Sequence, residues 1–242
     1  MCGRYAITLP PEAVRAFFAF AENPSFPPRY NIAPTQPIPV VVAAPHSRGA
    51  ARHFQLMRWG FLPGFAKDPK TFPLLINARA ETIAEKPSFR AALKRRRCLV
   101  IADGFYEWRR DEASGARRGT PRRPFLIRLI ERGPIGFAGL YETYCDATGG
   151  EIDTALIITT AANALISQLH VRMPAILDRH DFAAWLDVDE IGADKAAALL
   201  RPAPDSKLEL IEVGPAVNRA ANDDVSLQKA VGQPIRSAAG VG

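Results

Sequence analysis

The sequence predicts an α+β fold: a single domain with a mainly antiparallel β-sheet or barrel-like core and flanking helices. Three observations carry this. Short runs rich in β-branched and aromatic residues recur nine times along the 242 residues, helical stretches are fewer, and no long polar segment interrupts them as a linker would. The 21 prolines punctuate the whole length and keep the elements short. With 48% hydrophobic and 23% charged residues, the chain has ordinary globular composition and is long enough to bury a core, which excludes disordered and collagen-like classes.

The elements follow in order. Residues 4–9, 38–44, 53–59, 98–102, 105–109, 125–130, 136–141, 155–160 and 208–213 read as strands. Residues 11–20 open with Pro11, which a first helical turn tolerates, Ser88 is placed to cap a helix over 89–95, and 181–186 and 193–200 are amphipathic. Residues 161–168 read as a short helix, and 146–150 (Asp-Ala-Thr-Gly-Gly) as a hairpin loop. The polar, Arg-rich segment 111–123 is expected to be a mobile loop between two strands. One domain is expected over 1–235, with a frayed tail at 236–242.

No apolar run approaches the roughly 18 residues needed to span a bilayer, and the N-terminus has Arg4 in place of a signal peptide's apolar stretch. A cytoplasmic protein is expected, nucleoid-associated in a bacterium or nuclear in a eukaryote. Three cysteines, Cys2, Cys98 and Cys145, form no CxxC pair, so neither a disulfide framework nor a zinc ribbon is supported, and no metal or cofactor is expected. Charge is divided unevenly. Up to Arg132 there are 23 basic and 10 acidic residues; beyond it there are 8 and 15. With 24 Arg against 7 Lys, the basic part suits phosphate recognition, because guanidinium forks bind phosphate bidentately. Solvated surface charge explains it equally well.

Cys2 is the most informative position. Removal of the initiator Met from before a small side chain leaves a cysteine with a free α-amine and a thiol. The amine, with an intrinsic pKa of about 7.7 to 8.0, adds to an aldehyde, and the thiol then closes the imine into a thiazolidine. A small residue at position 2 also serves processing alone, so other residues must support the chemistry. Asn77, Arg79 and Glu81 alternate after an apolar run and share one face if the strand persists, which lets Asn77 and Arg79 grip one oxyanion. An Arg79–Glu81 pair on a solvated edge is the plain alternative. Glu107 sits among Phe105, Tyr106 and Trp108 in a strand, where desolvation raises a carboxyl toward useful acid/base values, unless an arginine pairs with it. His170 precedes Val171-Arg172-Met173-Pro174, an extended segment; a lone histidine is more often structural, as His46, His53 and His180 are read.

Together, Met1-Cys2-Gly3-Arg4-Tyr5, Tyr30-Asn31-Ile32-Ala33-Pro34, Arg58-Trp59-Gly60-Phe61, Ile76-Asn77-Ala78-Arg79-Ala80-Glu81-Thr82, Ala102-Asp103-Gly104-Phe105-Tyr106-Glu107-Trp108, Leu156-Ile157-Ile158-Thr159-Thr160-Ala161-Ala162 and His170-Val171-Arg172-Met173-Pro174 closely resemble the SRAP (SOS response-associated peptidase) family, over roughly residues 1 to 230. The resemblance implies recognition of abasic sites in single-stranded DNA, covalent linkage through Cys2, and shielding of the lesion at stalled forks. It places the catalytic cysteine, glutamate and histidine on Cys2, Glu107 and His170, the DNA-contacting residues on Asn77 and Arg79, and active-site support on Asn31 and Asn218. Trp59 and Phe61 are candidate stacking platforms for bases. Phe65 stands where relatives often carry a second Trp, and the Arg-rich loop also departs from the family pattern. Abasic single-stranded DNA, and fork proteins beside it, are the partners expected of a monomer that binds no membrane. Two other readings stay open: an N-terminal-nucleophile glutamine amidotransferase, which also begins Met-Cys-Gly, and a non-catalytic single-strand binding module.

Overall fold

The computed structural model describes residues 2–109, 123–146 and 148–237. Its strands are β1 (Tyr5–Ile7), β2 (Arg29–Ile32), β3 (Pro37–Ala43), β4 (Arg52–Trp59), β5 (Asn77–Arg79), β6 (Arg97–Ala102), β7 (Gly104–Arg109), β8 (Arg123–Leu129), β9 (Ile135–Cys145), β10 (Glu151–Ala161), β11 (Arg172–Pro174), β12 (Ile176–Leu177), β13 (Leu208–Glu212) and β14 (Ile235–Arg236). The helices are α1 (Pro11–Phe18), α2 (Pro87–Arg95), α3 (Ala164–Ser167), α4 (Phe182–Leu186) and α5 (Ala193–Ala197).

Strands β10, β4, β3, β6 and β9 pair in that order, and β9 pairs back onto β10. They form a closed five-stranded barrel. The 11-residue β10 closes it: one edge takes β4 and then β5 in parallel, and the other takes β9 and then β11 antiparallel. β6 is buried at all six positions and β10 is buried from Thr154 to Thr160, so both strands are covered on both faces. This is why they read as continuous apolar runs instead of alternating ones. Each fully buried Val, Leu or Ile there contributes about 1.5–3 kcal/mol. Where β6, β9 and β10 meet, a Cβ on Gly139 would stand 2.8 Å from the Leu156 carbonyl and 2.9 Å from Cys98 Sγ. Only glycine lets the strands close there.

A second, six-stranded sheet runs β14, β13, β8, β7, β1, β2. Tyr5 of β1 faces Phe105 of β7 on one side and Ile32 of β2 on the other. Its ring packs edge-on against Trp59 and Phe137 of the barrel, at 5.3 and 6.1 Å between centroids. One core therefore joins the two sheets.

The boundaries differ from the sequence reading in a few places. α1 ends at Phe18 because Ala19 takes a left-handed conformation (φ 57°) and closes the helix with a bond to the Arg15 carbonyl. Ser88 is not a cap: Pro87 occupies the first helical position and Lys86 precedes it in extended conformation. β10 continues to Ala161, so the helix expected over 161–168 shrinks to α3, capped by Asn163, whose side chain accepts from Ile166 N–H. α5 stops at Ala197. The hairpin between β9 and β10 forms, with Asp146 accepting from Gly150 and Thr148. Most of the Arg-rich loop and the end of the tail lie outside the described residues. Among those described, no helix is long and apolar enough to cross a membrane.

Candidate active site at the seam of the two sheets

Cys2, at the start of the strand segment that becomes β1, is fully buried. Burial, and then the negative charge of Glu107, push its thiol well above the ordinary range, so the sulfur is protonated at neutral pH. The side chain of Asn77 reaches across from β5, and its Nδ2 donates to the Cys2 carbonyl at 2.8 Å. Asn77 Oδ1 is buried with no hydrogen-bond partner among the described residues. Two residues on, Arg79 projects from the same face of β5 and is exposed. Its guanidinium makes no ion pair or hydrogen bond among the described residues. The strand ends there: residues Ala80–Thr82 form a 3-10 turn, so Glu81 leaves the face and does not pair with Arg79.

Glu81 instead receives both arms of Arg172, at 2.6 and 2.9 Å, which holds its carboxyl below the ordinary range. Arg172 also donates to the Thr159 carbonyl of β10 at 2.5 Å. Its backbone N–H donates to His170 Nδ1 at 2.9 Å. That bond makes Nδ1 an acceptor, so the neutral ring carries its proton on Nε2. Thr159 is opposite Arg79 on one edge of β10 and Pro174 on the other, so the segments bearing Asn77, Arg79 and His170 converge on the end of one barrel strand.

Glu107, on β7, comes from the other sheet and is 3% exposed. Desolvation raises its pKa, while the chain's N-terminal ammonium pulls it down through its charge and a hydrogen bond. Burial wins. A carboxyl able to hold a proton thus stands beside the amine end of the chain. Asn31 and Asn218 are tied together through Arg4, two residues along the chain from Cys2. Arg4 donates to Asn31 Oδ1 at 2.8 Å, to the Val217 carbonyl at 3.0 Å and to the Asn218 carbonyl at 3.3 Å. Asn31 Nδ2 donates to the carbonyls of Asn222, Arg219 and Val217 at 2.8 to 3.2 Å. Trp108 Nε1 donates to Asn218 Oδ1 at 2.7 Å. Asp223 accepts from Asn31 N–H at 3.0 Å and pairs with Arg29.

The six-stranded sheet therefore carries Cys2, Asn31 and Glu107, with Asn218 beside it, and the barrel side carries Asn77, Arg79 and His170. Trp59 and Phe61 are a correction. They are 0% and 1% exposed and present no face to a ligand. Trp59 packs on Tyr5 and donates to the Ile76 carbonyl, and Phe61 packs on Phe89, because both lie where β4 runs into the core. The exposed ring of this region is Phe65, at 58%. Sequence reasoning missed Arg4, Arg172 and Asp223. The first two stand inside quoted motifs, but nothing local marks Asp223, whose partners lie about 190 positions away. Asp178, His180 and Asp181 could gather about a cation, but Lys207 and Arg201 already neutralise the two carboxylates.

The family model described as SOS response associated peptidase (SRAP) matches residues 1–220. The chain belongs to the SRAP family. Its relatives include the abasic site processing protein YoqW of Bacillus subtilis, 35% identical over 94% of this chain and 98% of that protein. Another is the abasic site processing protein HMCES of Xenopus tropicalis, 29% identical over 84% of this chain and 70% of that protein. A crystal structure of a protein from Bacteroides thetaiotaomicron superposes with a TM-score of 0.80 at 25% identity, covering 95% of this chain and all of that one. The SRAP fold here is thus the barrel and sheet described above, and the motifs that led to the family contribute strands to both.

Proposed function

We propose that this protein processes abasic sites in single-stranded DNA by bonding to the lesion through Cys2 once Met1 has been removed. The observation that carries the reading is the bond from Asn77 to the Cys2 carbonyl. It ties the nucleophile to the strand that presents the exposed Arg79, so an aldehyde at Cys2 and its flanking phosphate at Arg79 are served by one rigid element.

The ring-opened abasic sugar supplies the aldehyde. The Cys2 α-amine adds to it, water leaves to give an imine, and the thiol adds across the C=N bond, its proton passing to nitrogen. One thiazolidine forms and one water is released. Glu107 relays protons at the amine, and His170 gives a proton to the sugar oxygen as the ring opens and takes it back in reversal. Phe65, in place of Trp59 and Phe61, offers the exposed face on which a base stacks. Met1 leaves by an aminopeptidase or by the autoproteolysis that the family's description suggests.

The test is a denaturing gel of protein incubated with an abasic oligonucleotide. Wild type is expected to give a heat-stable adduct and Cys2→Ala none, with weak borohydride-trappable imine remaining. Glu107→Gln and His170→Ala should slow adduct formation by about 100- to 10,000-fold while binding a non-reactive abasic analogue normally. Unreduced adduct at wild-type yield from Cys2→Ala would overturn the reading.

A further inference from the structure

We infer that the outer row of α2 is a docking surface for the phosphodiester backbone of the DNA strand as it continues beyond the lesion, an inference that rests on the proposed reading of the site. Between Thr82 and Ala102 the chain carries six basic residues and a single acidic one, Glu85. Two of the six have structural work. Arg97 is buried and donates to four backbone carbonyls, and Arg96 pairs with Glu142. Lys86, Arg90, Lys94 and Arg95 remain, all exposed and with no ion pair among the described residues.

Three of these, Lys86, Arg90 and Lys94, stand four residues apart, so they form one row about 12 Å long on the helix surface. Like charges at that spacing weaken a helix, and α2 has no acidic residue to relieve them. A face shaped only for solvation or helix stability would alternate its signs. The opposite face is fixed: Phe89, Ala92 and Leu93 are buried, and Phe89 meets Phe61 edge-on at 6.0 Å between centroids. The row cannot roll inward.

Its placement points to the occupant. From Arg79 the chain passes through the 3-10 turn at Ala80–Thr82, and the N–H of Lys86 bonds back to the Thr82 carbonyl at 3.1 Å. The start of α2 is therefore moored to the turn that directly follows Arg79. With the lesion at Cys2 and its phosphate at Arg79, three cations with no ion pair among the described residues, Lys86, Arg90 and Lys94, lead away along one path. A regularly charged, flexible polyanion fits that path, and a DNA strand held at Cys2 must leave the site by some path.

The experiment uses the full chain and the variant Lys86→Ala/Arg90→Ala/Lys94→Ala, in which alanine preserves the helix. Circular dichroism and melting are checked first. Binding to an undamaged single strand of about 20 nucleotides is then measured across a salt series. The slope of log affinity against log salt should become shallower by about 2, at roughly 0.7 per lost phosphate contact. Adduct formation with an abasic trinucleotide, too short to reach α2, should keep its wild-type rate. An unchanged slope on the long strand would overturn the inference, as would equal losses on the long strand and the trinucleotide, or weakened binding of polyaspartate with DNA binding intact. Absence of adduct from the wild type at both lengths would overturn the reading of the site instead, and the slope on undamaged DNA would still decide the role of α2.

Discussion

Glu107 shows burial and charge acting against each other at a single carboxyl. Its folded pKa is raised above the ordinary 4.5 by desolvation, against the pull of the N-terminal ammonium. Between those two values the folded chain holds a proton that the unfolded chain has released, so stability rises as pH falls through the raised value and levels off near the ordinary one. Above the raised value the buried carboxylate is ionised and at its most costly. Glu107→Gln should therefore melt higher than wild type at pH 7, with the gap closing toward pH 4.5. Scanning fluorimetry across that range checks it, and a gap that widens in acid would contradict the assignment of burial as the dominant cause. Residue chemistry was legible where neighbours in sequence create the environment: Glu107 between aromatics, and Asn77 and Arg79 alternating along an extended run. It failed for Trp59 and Phe61, because whether an aromatic ring faces water or a core is decided by strands far away in sequence.

Among the elements, β6 shows how a single polar side chain joins several of them. Arg97 opens that strand at 2% exposure and donates to the carbonyls of Leu93 in α2, Trp185 in α4, and Asp187 and Ile191 beyond it. Its guanidinium lies 5.7 Å over the Trp185 ring, and burial lowers its pKa to about 10, so it stays charged at neutral pH. Arg97→Met fills similar space but leaves four carbonyls without their donor. Urea denaturation is expected to show a loss of about 3 kcal/mol or more. A loss below 1 kcal/mol would mean that water replaces the guanidinium. Long apolar strands such as β6 and β10 were readable because burial on both faces leaves an unbroken signal. β2, β11, β12 and β14, two to four residues each, carry too few positions for any period to emerge, and only pairing defines them.

At the scale of the molecule, closure distinguishes the two sheets. The barrel has no free edge among its five strands, whereas the six-stranded sheet ends in β2 and β14. Native-state hydrogen exchange should find the slowest amides in β6, β9 and β10 and early exchange in β14; equal protection in β14 and β9 would contradict this. The charge imbalance was plain from the sequence, but its meaning was not. Part of the basic excess is absorbed locally: Glu209, 1% exposed, draws in Arg128, Arg132 and Arg236. What is left for a polyanion is set by the fold, not by the count.

Cys2 and the pair Asn77 and Arg79, the nucleophile and clamp of the proposed function, belong to different sheets, and that division has a mechanical consequence. In the proposed function, a lesion bonded to Cys2 and gripped at Asn77 and Arg79 would be a strap across the seam. Any motion that parts the sheets must then stretch the strap, so the load is shared by both layers instead of falling on the short strand β1. On that reading, a machine that pulls on the DNA would meet the resistance of both layers together.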